Sequence, residues 1–254
     1  MVRWTGPVGV VGRRVFPFYV VCDVSRSMWD PDFLETPGVR RGSRHLDVLT
    51  PFQQIEQSLP GLIETLEDDI SVRDTAHVSV IAFGDEPQTV LPLTPLNSEQ
   101  SSALVISPMT RQYSTDYVAI FKHLQQQIRE DVRRLIATGC ELYTPAIYFI
   151  TDGNPQVRGR MQTTSDWIHL REGFEDPNFP VSPTIVALGL GDVAPGTVRQ
   201  IASGRPRGIA CMANGQAPDS LLAEIIESIM HSIGNSSGSG HLEFRVPAGM
   251  TKLT

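Results

Sequence analysis

Four short apolar runs, each ending abruptly, constrain this chain more than any other feature. They are FPFYVVC (Phe16 to Cys22), HVSVIAF (His77 to Phe83), AIYFIT (Ala146 to Thr151) and TIVALGL (Thr184 to Leu190). Each is rich in β-branched and aromatic residues and is bounded by turn residues, which marks a strand. The runs are continuous rather than alternating, so both faces of each strand are buried, as in a parallel sheet. GIACMA (Gly208 to Ala213) reads as a fifth strand. TVLPLT (Thr89 to Thr94) contains Pro92, which confines it to a sheet edge. Only GDEPQ separates it from the second run, too short for a parallel crossover, so the two pair as an antiparallel hairpin.

Helical patterns fill the intervals. Thr50-Pro51-Phe52-Gln53 is a capping box with proline at the first helical position, and Leu59, Leu62, Ile63 and Leu66 follow at helical spacing. Phe121, Leu124, Ile128, Val132 and Leu135 form a stripe that Gly139 stops. Leu221, Leu222, Ile225, Ile226, Ile229 and Ile233 form another, with an expected end at Gly234. Shorter helices are expected near Thr163 to Glu172 and Gly196 to Ala202. Strands alternating with helices predict an α/β fold: a Rossmann-like, doubly wound, mostly parallel sheet with one antiparallel edge strand and helices on both faces. One domain is expected over residues 16–234. Residues 1–15 read as an N-terminal extension and 235–254 as a flexible C-terminal tail, because NSSGSGH has linker composition.

The chain has 254 residues, enough for a full core without covalent staples. Its net charge of −7 gives no footprint for nucleic acid. Cys22, Cys140 and Cys211 are scattered, forming neither a disulfide framework nor a zinc site, and fit a reducing compartment. The N-terminus lacks the apolar stretch of a signal peptide and no run is long enough to span a bilayer, so a cytoplasmic protein that does not engage membranes is expected. The histidines show no HxxxH or HExxH spacing, which argues against a catalytic zinc.

The first run stops at Asp23, and Ser25 and Ser27 follow two and four positions on. In open α/β sheets ligands sit outside the carboxyl ends of the strands. Side chains two apart in extended chain converge on one side. A carboxylate and two hydroxyls are hard oxygen donors suited to magnesium, manganese or calcium. The third long run ends similarly, in Thr151-Asp152-Gly153, and Tyr113-Ser114-Thr115-Asp116 offers another hydroxyl just before a helix. With the first and third runs adjacent, three segments deliver oxygens to one rim.

Asp23-Val-Ser25-Arg-Ser27-Met28, then Thr115, then Thr151-Asp152-Gly153, resembles the metal-ion-dependent adhesion site of von Willebrand factor A domains. The resemblance covers about Phe16 to Gly234. The hairpin HVSVIAFGDEPQTVLPLTPL and the stretch ITDGNP look closest to the bacterial, intracellular members associated with tellurium resistance and stress. The resemblance implies that Ser25 and Ser27 ligate the metal directly, that Thr115 does so directly or through water, and that Asp23 and Asp152 act mostly through bound water. It also implies an open coordination position filled by an aspartate or glutamate of a partner protein. The function it implies is a non-enzymatic scaffold or adaptor in a stress or conflict system.

Two departures stand out. The approach to the threonine is Arg111-Gln112-Tyr113-Ser114 rather than glycine-rich, which leaves Thr110 and Ser114 as alternative ligands. From Trp29 to Thr50 runs a 22-residue insertion carrying Arg40, Arg41 and Arg44. It reads either as a shaper of partner choice or as a tolerated surface loop. Trp29 and Trp167 are candidates for the rim or for packing. The alternative function is a metal-dependent hydrolase or phosphatase using Asp23. That chemistry wants an acid two residues later, where Ser25 stands. No G-x-S-x-G elbow and no Walker loop occurs.

Overall fold

The computed structural model describes residues 12–30, 49–96, 108–202, 204, 208–215 and 218–254. Most of the Trp29–Thr50 insertion lies outside these residues. The strands are β1 (Arg14–Asp23), β2 (Ala76–Phe83), β3 (Gln88–Pro95), β4 (Glu141–Leu142), β5 (Ala146–Thr151), β6 (Gln156–Val157), β7 (Arg160–Met161), β8 (Thr184–Gly189), β9 (Ile209–Ala213) and β10 (Met250–Lys252). The helices are α1 (Pro51–Asp68), α2 (Ile70–Thr75), α3 (Tyr117–Ala137), α4 (Thr164–Glu172), α5 (Pro195–Ile201) and α6 (Pro218–Ser239).

The main sheet runs β10-β9-β8-β5-β1-β2-β3, with the short β4 also pairing with β1. β1 pairs in parallel with both β2 and β5, and β5 with β8. From β1 the chain therefore winds outward in both directions, so the β1/β5 boundary is the topological switch point. The carboxyl ends of the strands leave a crevice there.

β1 is buried from Val15 to Asp23 because both of its faces are covered. Phe16, Phe18, Val20 and Cys22 pack with Phe52, Ile55 and Ile63 of α1 and with Leu221, Ile225 and Ile229 of α6. Val15, Tyr19 and Val21 face the opposite layer, built from Ile120, Phe121 and Leu124 of α3, Trp167 of α4 and Val198 of α5. This two-sided burial is what the unbroken apolar run requires. Each large side chain removed from water contributes roughly 1.5–3 kcal/mol.

The capping box forms as expected: Gln53 N donates to Thr50 Oγ1 (3.3 Å) and Thr50 N to Gln53 Oε1 (2.9 Å). Ile63 and Leu66 are buried, while the Leu59 and Leu62 side chains lie outside the described set. α3 carries its predicted stripe, and Gly139 beyond it adopts φ +80°.

Two expectations need correction. α6 does not stop at Gly234 but runs to Ser239, and Gly240 (φ +75°) follows it. Ser236 and Ser237, which read as linker, are buried instead. Ser237 Oγ donates to Ile233 O (2.7 Å), and Ser236 Oγ accepts from Glu243 N (2.9 Å). Tyr148 OH, from β5, donates to Ser232 Oγ (2.7 Å). The segment expected as a flexible tail folds back along α6 and ends in β10, antiparallel to β9. The sheet therefore has two antiparallel edge strands, β3 and β10, rather than one.

Candidate metal centre

Asp23 is the last residue of β1 and has no exposed surface. Its Oδ1 accepts from Ser25 N (2.9 Å), which bends the chain sharply as it leaves the sheet. A single 3-10 turn over Arg26–Met28 follows. That turn brings Ser27 Oγ to 3.3 Å from Ser25 Oγ, so the two hydroxyls lie side by side. Ser27 Oγ also donates to Asp152 Oδ1 (2.8 Å). A loop after β5 thus meets a loop after β1 across the switch point.

Thr115 arrives from a third direction. It forms a two-bond antiparallel bridge with Gln156 (N to O 3.0 Å, and 2.9 Å in return). Its Oγ1 lies 3.1 Å from where a Cβ on Gly153 would sit, and Asp23 Oδ2 lies 3.8 Å from the same point. The absence of a side chain at Gly153 lets the three segments close on one another. Of the three candidate hydroxyls, Thr115 reaches this point. Ser114 Oγ turns away to accept from Arg158 N (3.4 Å), and Thr110 is exposed, with its backbone N–H on Gln88 Oε1 (3.1 Å). Asp23, Ser25, Ser27, Thr115 and Asp152 are therefore all brought together.

Two positioning residues escaped the sequence. Thr151 Oγ1 donates to Asp23 Oδ2 (2.7 Å). Tyr117 OH, from the first turn of α3, lies 3.2 Å from Thr151 Oγ1 and donates to Gly153 O (3.1 Å). Thr151 stands in the Thr-Asp-Gly stretch that ends β5, but the reach of Tyr117 across the sheet has no local signal. Trp167, expected as a rim or packing residue, is core: it is buried and stacks on Phe121. Trp29 is on the rim, with Nε1 donating to Gln112 O (2.9 Å).

The electrostatics of the site are those of a cation receptor. Burial drives the Asp23 and Asp152 carboxyls above the usual range, and the Asp23 charge pushes Asp152 up further, with Asp192 adding to it. Asp192 is held nearby because Gly191 (φ +51°) packs on Asp152 and Asn154 bridges to the same turn. Among the described residues no Lys or Arg shifts either carboxyl. Two buried carboxylates without a cation are costly. Among the described residues no group of three or more His, Cys, Asp or Glu side chains is placed to hold a metal, so a nitrogen- or sulfur-rich centre is not the alternative. Three hydroxyls beside two carboxylates are the donors of a hard divalent ion, and the residues present fit one.

Fold and site together define a doubly wound α/β domain that gathers oxygen donors at the carboxyl edge of its sheet. The chain belongs to the von Willebrand factor type A domain family, whose model matches residues 19–217. Among solved structures it is similar to proximal thread matrix protein 1 from the mussel byssus. That match has a TM-score of 0.55 at 14% identity, covering 87% of this chain and 48% of that one. Another structure of the mussel protein, described as having a zinc-occupied MIDAS motif, matches with a TM-score of 0.54 at 14% identity over the same shares. A mutant of the PilB minor pilin from Streptococcus sanguinis also scores 0.55, at 11% identity, with 90% of this chain and 64% of that one covered. The chain thus spans about half the length of the mussel protein, and at these identities the likeness is one of fold. No curated protein matches the chain. No helix among the described residues is long and apolar enough to cross a membrane.

Proposed function

We propose that the chain is a metal-dependent protein-interaction domain without catalytic activity. Ser25, Ser27 and Thr115 hold the ion through their hydroxyls. Asp23 and Asp152 act on it mainly through water. The ion supplies a Lewis-acidic position that a partner's aspartate or glutamate completes. The observation that carries this is the meeting of Ser25, Ser27 and Asp152 across the switch point, with two buried carboxylates and, among the described residues, no cationic side chain acting on them. Magnesium is the favoured ion, with manganese and calcium as substitutes, because every donor is a hard oxygen. The finer setting, a cytoplasmic scaffold in a bacterial stress or conflict system of the tellurium-resistance type, is supported by the likeness of the β2–β3 hairpin and ITDGNP. In it neither nucleic acid nor membrane is a partner, in line with the net negative charge.

Calorimetric titration with magnesium tests the site. Saturable binding is expected in the native chain and its loss when Ser25 and Ser27 are both changed to alanine. Equal affinity in the two proteins refutes the site. Partner capture should then disappear in EDTA, return with magnesium, and be absent for the double variant.

A further inference from the structure

Beside the candidate metal centre the chain displays a cation whose purpose the metal does not explain. Arg111 is exposed, and its guanidinium carbon lies 5.7 Å from the Trp29 ring centroid and 5.4 Å from that of Phe52. These rings hold the group in place, yet it has no carboxylate within ion-pair distance among the described residues. By contrast, Arg134 on α3 is paired with Asp131 (2.8 Å).

The segment carrying Arg111 is rigidly fixed. Gln112 N donates to Val24 O (3.0 Å), immediately after Asp23, and the Trp29 indole donates to Gln112 O (2.9 Å). The Gln112 amide pairs with the backbone of Glu86 in both directions. Tyr113 N donates to Asp85 Oδ2 (2.8 Å), leaving its ring 65% exposed and edge-on to Trp29. Thr115 is four residues from Arg111, a span of at most about 14 Å of chain. A fixed guanidinium on an aromatic face is a strong carboxylate receptor, because orienting it costs little on binding.

We infer that Arg111, presented by Trp29 and Phe52 beside the metal position, is a second anchor for an acidic, extended segment of a partner protein, one that bears several carboxylates on one face. Alternate side chains of an extended peptide project on one side about 6.8 Å apart. One carboxylate at the metal thus leaves those two or four residues along within reach of Arg111. Tyr113 supplies the exposed ring against which such a segment packs. This inference rests on the metal-dependent reading above and adds to it the composition of the bound segment.

Two fluorescent peptides test it in magnesium at fixed ionic strength. One has a single aspartate in a Gly/Ser background, and the other adds glutamates two and four positions after it. Fluorescence anisotropy is expected to show at least tenfold tighter binding of the second peptide to the native chain. Arg111→Gln should abolish that preference while leaving the magnesium-induced rise in melting temperature unchanged, and Arg111→Lys should retain part of it. Equal affinity for the two peptides, a preference that survives Arg111→Gln, or no binding of either peptide overturns the inference. Absence of any magnesium-induced stabilisation of the native chain instead overturns the metal reading beneath it.

Discussion

Asp152→Asn should reverse its effect on stability according to whether a divalent ion is present. In the metal-free fold the Asp23 and Asp152 carboxyls are buried together and both titrate later than in the unfolded chain. A carboxyl raised in this way binds its proton more tightly in the native state. Its contribution is then present at low pH and is lost as pH rises from about 3.9 through the raised folded value. Each pH unit of that delay costs about 1.4 kcal/mol at neutral pH. Asparagine keeps Oδ1 as an acceptor for Ser27 Oγ but removes one of the two charges. The variant should therefore be about 2–4 kcal/mol more stable than the native chain in EDTA at pH 7.5. The gain should shrink toward pH 4.5, where the native carboxyl is already protonated. With magnesium at a hundred times its dissociation constant, the native chain should gain about 2.7 kcal/mol. For a chain of this size that is roughly 5–10 °C in melting temperature. The variant should gain little. Thermal unfolding by circular dichroism, at both pH values with EDTA or magnesium, gives the four comparisons. A variant less stable than the native chain in EDTA at pH 7.5, or one with an undiminished magnesium shift, would show that the buried pair is not a cation receptor.

Gly153→Ala places a methyl group 3.1 Å from Thr115 Oγ1, so the Thr115 loop must give way; magnesium affinity should fall about tenfold while the metal-free melting temperature changes by only a few degrees. Unaltered calorimetric affinity would remove Thr115 from the site. Thr151→Val deletes the donor to Asp23 Oδ2 and the partner of Tyr117 OH, costing about 1–3 kcal/mol, which urea unfolding would measure. At the opposite end of the sheet, burial holds the His77 imidazole down at about 4, with Arg13 and Arg134 adding to the effect, and its Nε2 has no hydrogen-bond partner among the described residues. The unfolded ring takes its proton near 6.5, so the unfolded state binds more protons between those values. The contribution of His77 should fall by about 2–3 kcal/mol as pH drops from 6.5 to 4, superimposed on the opposite gain from Asp23 and Asp152. His77→Phe should remove that loss, so the native chain should lose ground to the variant over this range, and an unchanged difference between the two proteins would assign the effect elsewhere.

What the residue order could and could not foretell follows from the range of the interactions. The unbroken apolar run of β1 announces burial on both faces, and its stop at Asp23 announces the edge of the sheet. Asp152 becomes a neighbour only through strand order. The residue order left that adjacency as a condition, and the structure meets it by placing β5 on one side of β1 and the β2–β3 hairpin on the other. The serines near the end of α6 were misread for an equally physical reason. Their composition favours a linker, but the returning chain at Glu243 supplies Ser236 with a partner that no local pattern contains, and tertiary contacts override propensity. Tyr117, 34 residues before Thr151, and Arg111, whose two aromatic neighbours lie far away in sequence, belong to the same class. The Asp23 motif was legible because it bonds to itself through Ser25, whereas the groups that fix its carboxylate come from across the sheet. A charge pair held this rigidly cannot relax by turning toward water. That rigidity is why the sign of the Asp152→Asn effect, rather than its size, decides between a cation site and a merely polar turn.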